Sequence, residues 1–136
     1  MSETYRVNLA NRHLRNNRDM SETYRVNLAN LRILMKTINR IGFDGNLDLD
    51  KLSLVVEDLD TELGYCIKEE GDVFPVLGVC NTYKDYSEFK STLAHEMIHL
   101  YQYQILNMEP NHKKHFIEFA EELSVKINIP LSDLLP

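Results

Sequence analysis

Apolar residues recur at helical spacing in the stretch that follows Met20. They stand at intervals of three or four residues: Leu28, Leu31, Leu34, Met35, Ile38 and Ile41. One face of an α-helix collects positions with this period, so the pattern predicts a helix, and Ser21 is a candidate for its N-cap. The stretch GFDGN at residues 42–46 is a cluster of turn residues, so the helix is expected to end there.

Three stretches further along have the alternating and β-branched composition of strands. They are KLSLVVED at residues 51–58, GYCIK at residues 64–68 and VFPVLGVC at residues 73–80, and KEEGD forms a candidate hairpin turn between the last two. Pro75 has no N–H to donate to a strand ladder, so it is expected at a sheet edge or at an irregular strand start. Together the stretches predict a small, three-stranded antiparallel sheet.

Two more helices are expected after the sheet. Asp85 and Glu88 have the spacing of a capping box at the start of a helix that runs to about Asn107, and Ser87 is an alternative cap. Glu-Pro-Asn at residues 109–111 breaks this helix. A last helix is expected from about His112 to Lys126, which makes the order helix, sheet, helix, helix and the fold class α+β.

The opening of the chain is a copy. Residues 1–11 read MSETYRVNLAN, and residues 20–30 repeat them without a change. A tandem duplication, a misplaced start or a cloning scar explains two identical copies better than a solenoid repeat, which recurs at least about three times. Only the second copy continues into the apolar stripe. We therefore expect residues 1–19 to be an accessory or frayed extension and residues 20–136 to form the single domain.

The charge of the chain is unevenly distributed. The net charge is −6, but residues 1–40 carry eight Arg and Lys against three acids, whereas the remainder carries seven against eighteen. A basic front of this kind is usually a solvated helix face, and binding of nucleic acid through it is the alternative.

Composition is that of a soluble domain. No apolar run approaches the roughly 18 residues that a membrane helix needs, so we expect no membrane span and no secretory signal. Cys66 and Cys80 do not form a CxxC motif and are expected to be small buried residues in a reducing compartment, the cytoplasm.

The stretch STLAHEMIHLYQ, residues 91–102, carries the candidate chemistry. On a helix, positions i and i+4 lie one above the other, so His95 and His99 point at one ion. Glu96 is offset by about 100° around the helix, which directs its carboxylate to a metal-bound water rather than to the metal. This spacing is typical of metal-assisted peptide hydrolysis with one zinc ion.

A third zinc ligand is expected downstream, and the candidates are His112, His115, Glu118, Glu121 and Glu122. The buried face of the last helix is expected to carry Phe116, Phe119 and Leu123. On a helical wheel His112 projects close to this face, whereas His115 and Glu122 lie on its flank and the other two acids point away. The wheel therefore favours His112. Four of the five histidines fall between residues 95 and 115, which favours ligands over isolated core histidines.

At this level of detail the chain resembles the SprT-like metallopeptidases, the family that includes the Spartan proteases acting on DNA-protein crosslinks. The matching text is INRIGFDGNL, LSLVVEDLDTELGYC, STLAHEMIHLYQ and PNHKKHF, in family order across roughly residues 30–125. The resemblance implies a zincin-like fold, zinc held by His95, His99 and His112, and Glu96 as the catalytic residue.

The expected function is hydrolysis of peptide bonds in a protein or peptide substrate. In this interpretation zinc lowers the pKa of its bound water to about 7, and Glu96 acts as general base. An alternative is a non-catalytic zinc module that binds nucleic acid or a protein regulator. A third hypothesis is a zinc hydrolase acting on a non-peptide amide.

Overall fold

A computed structural model describes residues 23–136, together with the backbone of residues 5–8. It contains six strands, β1 (Tyr5–Asn8), β2 (Tyr24–Arg25), β3 (Ser53–Glu57), β4 (Glu62–Ile67), β5 (Val76–Cys80) and β6 (Thr82–Tyr83). It also contains four helices, α1 (Leu28–Gly42), α2 (Tyr86–Gln104), α3 (Lys114–Lys126) and α4 (Leu131–Leu134). The predicted α+β class is confirmed.

The main sheet has four strands in the order β1-β4-β5-β3. Strands β4 and β5 pair antiparallel, as predicted, but β3 runs parallel to β5, so the prediction of a three-stranded, wholly antiparallel sheet was wrong. Burial explains the order: β5 is buried over nearly its whole length and takes a central position, whereas β3 is exposed at both ends and takes the edge. Pro75 precedes β5, and its carbonyl accepts the N–H of Ser53.

Strand β1 lies within the segment expected to be accessory. Its backbone pairs antiparallel with β4, with Tyr5 opposite Cys66 and Val7 opposite Gly64. The rest of residues 1–19 lies outside the described residues, so the accessory role of this segment stays a prediction.

The second copy of the repeat has a different environment. Tyr24 and Arg25 pair with β6 in a separate two-stranded sheet. Asn27 then caps α1: its side chain accepts the N–H of Asn30, and the Asn30 side chain accepts the N–H of Asn27. Ser21 was therefore the wrong N-cap, because the helix begins seven residues beyond it.

Helix α1 buries the middle of the apolar stripe, namely Leu31, Leu34, Met35 and Ile38. The two ends of the stripe do not reach the core, because Leu28 and Ile41 are 41% and 42% exposed. The core lies between the main sheet and the helices, and α2 is its central element.

Helix α2 is buried on nearly all sides, since it packs on β4 and β5 with one face and on α1, α3 and α4 with others. Asp85 caps it as predicted, accepting the N–H of Glu88 at 2.9 Å. The Glu88 carboxylate accepts the N–H of Lys84 rather than that of Asp85, so the cap is extended by one residue. The helix ends at Gln104, three residues before the predicted end.

Helix α3 begins at Lys114, two residues later than predicted, and Lys113 is its N-cap without a side-chain bond. Phe116 and Leu123 are fully buried, as expected for the inward face, and Phe119 is half-buried against the ring of Phe43. Cys66 and Cys80 are buried and unbridged, as predicted. In the described part of the chain, no helix has both the length and the apolar character needed to cross a membrane.

Candidate metal centre

The first two histidines of the site come from one face of α2. His95 and His99 are one helical turn apart, and their ring centroids are separated by 4.9 Å. Both side chains are buried, with exposed fractions of 3% and 0%. Because α2 is packed on nearly all sides by the core, these two imidazoles lie on a rigid element rather than on a surface loop.

His112 joins them from the loop that precedes α3. Its Nε2 lies 3.1 Å from Nε2 of His99 and 3.1 Å from Nε2 of His95. Within the described residues, these three side chains form a group whose ligand atoms all lie within 4.8 Å of one another. His115 is exposed and lies elsewhere, beside Tyr101 and Leu106.

The wheel argument placed His112 in the helix, and this part of it was wrong. His112 reaches the cluster because its loop is anchored. The amide of Gln102 donates to the carbonyl of Asn111 at 3.1 Å and accepts the N–H of Asn111 at 3.3 Å. The Asn111 side chain in turn accepts the N–H of Lys113 at 2.9 Å. These bonds hold the loop beside the end of α2.

Hydrogen bonds on the far side of two rings fix their protonation. Nδ1 of His95 lies 2.7 Å from the carbonyl oxygen of Leu134, which is only an acceptor, so Nδ1 carries the proton. Nδ1 of His99 lies 2.8 Å from Oε1 of Gln102, and the Asn111 N–H bonded to the same oxygen settles the orientation of that amide. In the neutral rings, Nε2 of His95 and of His99 therefore presents a lone pair to the cluster.

Burial also keeps these rings neutral. The pKa of His95 is lowered to about 4, mainly by desolvation; the hydrogen bond to the Leu134 carbonyl opposes this shift, and the neighbouring His112 adds to it. Desolvation, followed by the charge of His95, lowers the pKa of His99 to about 3. A neutral imidazole is the form that binds a metal ion.

Phe116 forms one wall of the cluster. Its ring centroid lies 4.8 Å from that of His95, 5.0 Å from that of His99 and 4.9 Å from that of His112. A buried aromatic ring against all three imidazoles excludes water from that side and restricts the rotation of the rings.

The donor set fits a small divalent ion. Zinc binds imidazole nitrogen at about 2.0–2.1 Å, so two nitrogens on a tetrahedral ion are about 3.3 Å apart. The two Nε2 separations of 3.1 Å are close to this value. A single Nε2 proton on His112 cannot bridge both neighbours, whereas one cation satisfies all the converging lone pairs. The three histidines are thus positioned to hold a metal ion.

Glu96 lies on a different face of α2, turned toward β4. Its side chain is fully buried. A Cβ on Gly64 of β4 would lie 3.5 Å from Cγ of Glu96 and 3.0 Å from Cγ2 of Thr92, so glycine allows the strand to approach the helix closely. The thiol of Cys66 lies near enough that, after desolvation, the charge of Glu96 further raises its pKa.

Sequence reasoning missed two groups of this site. Gln102 follows His99 by three residues on the same helix, and this spacing is a signal that a polar partner for the ring was available. The carbonyl of Leu134 carries no such signal, because any residue supplies one. Two tyrosines near the end of α2 make contacts away from the histidines: Tyr101 packs against Phe43 and Phe119, and the hydroxyl of Tyr103 accepts the N–H of Lys68 at 3.0 Å.

One comparison with known proteins identifies a family. The model of the SprT-like family matches residues 31–133, a span that covers most of the chain and contains Glu96 and all three clustered histidines. No match was found among curated proteins or among solved structures. On the extent of the family match, the chain belongs to the SprT-like family.

Proposed function

We propose that this chain is a zinc-dependent endopeptidase that cleaves peptide bonds in protein substrates. The observation that carries the proposal is the convergence of Nε2 of His95, His99 and His112 beside a buried glutamate that directly follows the first of them. The zincin-like arrangement, an active-site helix packed against a sheet, belongs to the same proposal.

The number of ligands supports catalysis over a purely structural role. The cluster among the described residues contains three histidines. Catalytic zinc sites usually have three protein ligands and keep one position for water or substrate, whereas structural sites are closed by four. When bound, zinc acts as a Lewis acid on the scissile carbonyl and lowers the pKa of coordinated water to about 7.

Each protein group then has a defined task. The two Nδ1–H bonds, to Leu134 and to Gln102, keep the rings of His95 and His99 in the orientation that presents their Nε2 atoms. Glu96 takes a proton from the attacking water and delivers it to the amine nitrogen that leaves. The close approach of Cγ of Glu96 to Gly64 of β4 supports this role, because it brings the catalytic residue next to a strand whose backbone can align an extended substrate.

The test is an assay of the zinc-loaded full-length chain on an unfolded protein such as fluorescently labelled casein, with and without single-stranded DNA. Metal identity and stoichiometry are measured by mass spectrometry of the protein as purified. We expect about one zinc per chain, internal cleavage of casein, and loss of cleavage in Glu96→Gln. Stoichiometric zinc without hydrolysis under either condition would favour the non-catalytic binding module.

A further inference from the structure

The edge of β4 that faces away from β5 lies beside the proposed catalytic residue. Gly64 and Cys66 of this strand are the residues that approach Glu96. Helix α2 packs on β4, and it also contacts β1. It contacts β5 as well, so the active-site helix lies under β4 and reaches the strand on each side of it, including β1 on the outer side.

This edge suits an extended peptide. A strand edge presents backbone N–H and C=O groups, and a peptide in β conformation binds to it by main-chain hydrogen bonds that do not depend on its sequence. An endopeptidase must hold an extended backbone next to its general base. The other edge of the sheet, β3, is separated from β4 by β5, so it does not offer that position.

In this chain the β4 edge is already paired. Strand β1 runs antiparallel to it, with Tyr5 opposite Cys66, Arg6 opposite Tyr65 and Val7 opposite Gly64. The register brings the backbone of residues 5–8 across the same part of β4 that approaches Glu96. A peptide substrate and β1 need the same backbone groups.

We propose, on the basis of the proposed peptidase function, that β1 occupies in cis the strand edge that receives an extended peptide substrate. Residues 5–8 act as a tethered competitor, and their release opens the site. The identical residues of the second copy have no such role, because Tyr24 and Arg25 pair with β6 and Asn27 caps α1. The duplication thus adds an inhibitory strand without removing any element of the domain.

The test opens the edge in the full-length chain with Arg6→Pro and Val7→Pro together, because proline removes two N–H groups and disfavours strand pairing. The matched control is Asn16→Pro with Asn17→Pro, which introduces the same two prolines outside β1. Zinc content and melting temperature establish that all variants are folded.

A binding measurement is made in the Glu96→Gln background, so that nothing is cleaved. The probe is a fluorescein-labelled peptide of residues 2–11, followed by anisotropy. A tethered segment competes at an effective concentration on the order of millimolar, so opening the edge should tighten probe binding by about threefold or more. Hydrogen exchange of the β4 amides that are not bonded to β5 should accelerate in the opened variant and stay unchanged in the control.

A kinetic measurement uses the active enzyme on labelled casein. The opened variant should have a KM lower by about the same threefold, and an unchanged kcat, because β1 blocks binding and not chemistry. Equal probe binding in the opened and control variants would show that β1 does not occupy the edge of β4. Tighter probe binding with identical casein kinetics would show that β1 does not compete with the substrate. Absence of hydrolysis in every variant would contradict the proposed peptidase function. In that case the anisotropy of the probe still tests whether β1 covers this edge.

Discussion

The Nδ1–H of His99 donates a hydrogen bond of 2.8 Å to Oε1 of Gln102, one helical turn further along α2. The same amide group holds Asn111, the residue before His112, through two backbone hydrogen bonds. One side chain therefore orients a histidine of the helix and anchors the loop that supplies the third histidine.

Replacement of Gln102 by Met should weaken zinc binding about 10- to 100-fold, the usual effect of losing a partner that orients a ligand. The matched control is Gln104→Met, since Gln104 lies on the same helix but bonds the backbone of Asp48. Competition with a chromogenic chelator measures both affinities. An equal loss in the two variants would mean that Gln102 acts only through stability.

Glu96→Gln should leave about one zinc per chain and reduce hydrolysis about 10²- to 10⁴-fold, because an amide cannot act as general base. Metal analysis and initial rates on casein are the two measurements. Full activity would exclude Glu96 as the base, and loss of zinc would identify it as a ligand instead.

His112→Ala should lose zinc or bind it much more weakly, whereas His115→Ala should retain zinc. Of these two, His112 reaches the buried pair, whereas His115 is exposed on α3. Metal content after dialysis against a weak chelator distinguishes the two. The reverse order would show that the loop before α3 binds the metal in another arrangement.

The metal-free chain should lose stability as the pH falls from about 6.5 to about 4. The pKa of His95 and of His99 is lowered in the folded state from 6.5 to about 4 and about 3, so the unfolded chain binds more protons in this window. The free energy of unfolding therefore rises with pH there. Urea unfolding at several pH values gives the free energy of unfolding as a function of pH. This free energy should change less with pH in His99→Asn than in His115→Asn. An equal pH dependence in the two variants would contradict the lowered pKa of His99.

A chain that begins at Met20 should fold, bind zinc and melt within a few degrees of the full-length protein. The omitted residues lack a sustained apolar face, so they contribute little to the core. Thermal unfolding of the two chains side by side is the measurement. A large loss of melting temperature or of zinc in the shorter chain would make residues 1–19 part of the domain.

Local signals in the sequence predicted the helix that carries three of the candidate site residues. His95, Glu96 and His99 stand on one helix whose cap, Asp85, was identifiable because capping depends on residues only three positions apart. His112 was favoured by its proximity to the inward face of the last helix, although it lies in the loop before it. Both inferences depend on short sequence separations.

Relationships between distant segments were not predictable in the same way. The insertion of β5 between β4 and β3 depends on which strand buries most surface, and alternation in a single strand does not reveal its neighbour. The short strands β2 and β6 show no alternation of apolar and polar residues in the sequence, because two residues are too few to show a period. The contact from Leu134 to His95 spans 39 residues and uses a backbone carbonyl, which every sequence contains.

The contact between Leu134 and His95 couples the folding of α4 to metal binding at the candidate site. Leu134 belongs to the four-residue α4, a helix too short to be stable by itself, and its carbonyl is the acceptor for Nδ1 of His95. By linkage, any ion that prefers the correctly oriented ring also favours the folded form of residues 131–134, and any cleavage or extension that unfolds α4 lowers the affinity for the ion by the same free energy. Metal occupancy and the folding of residues 131–134 are thus expected to be thermodynamically coupled.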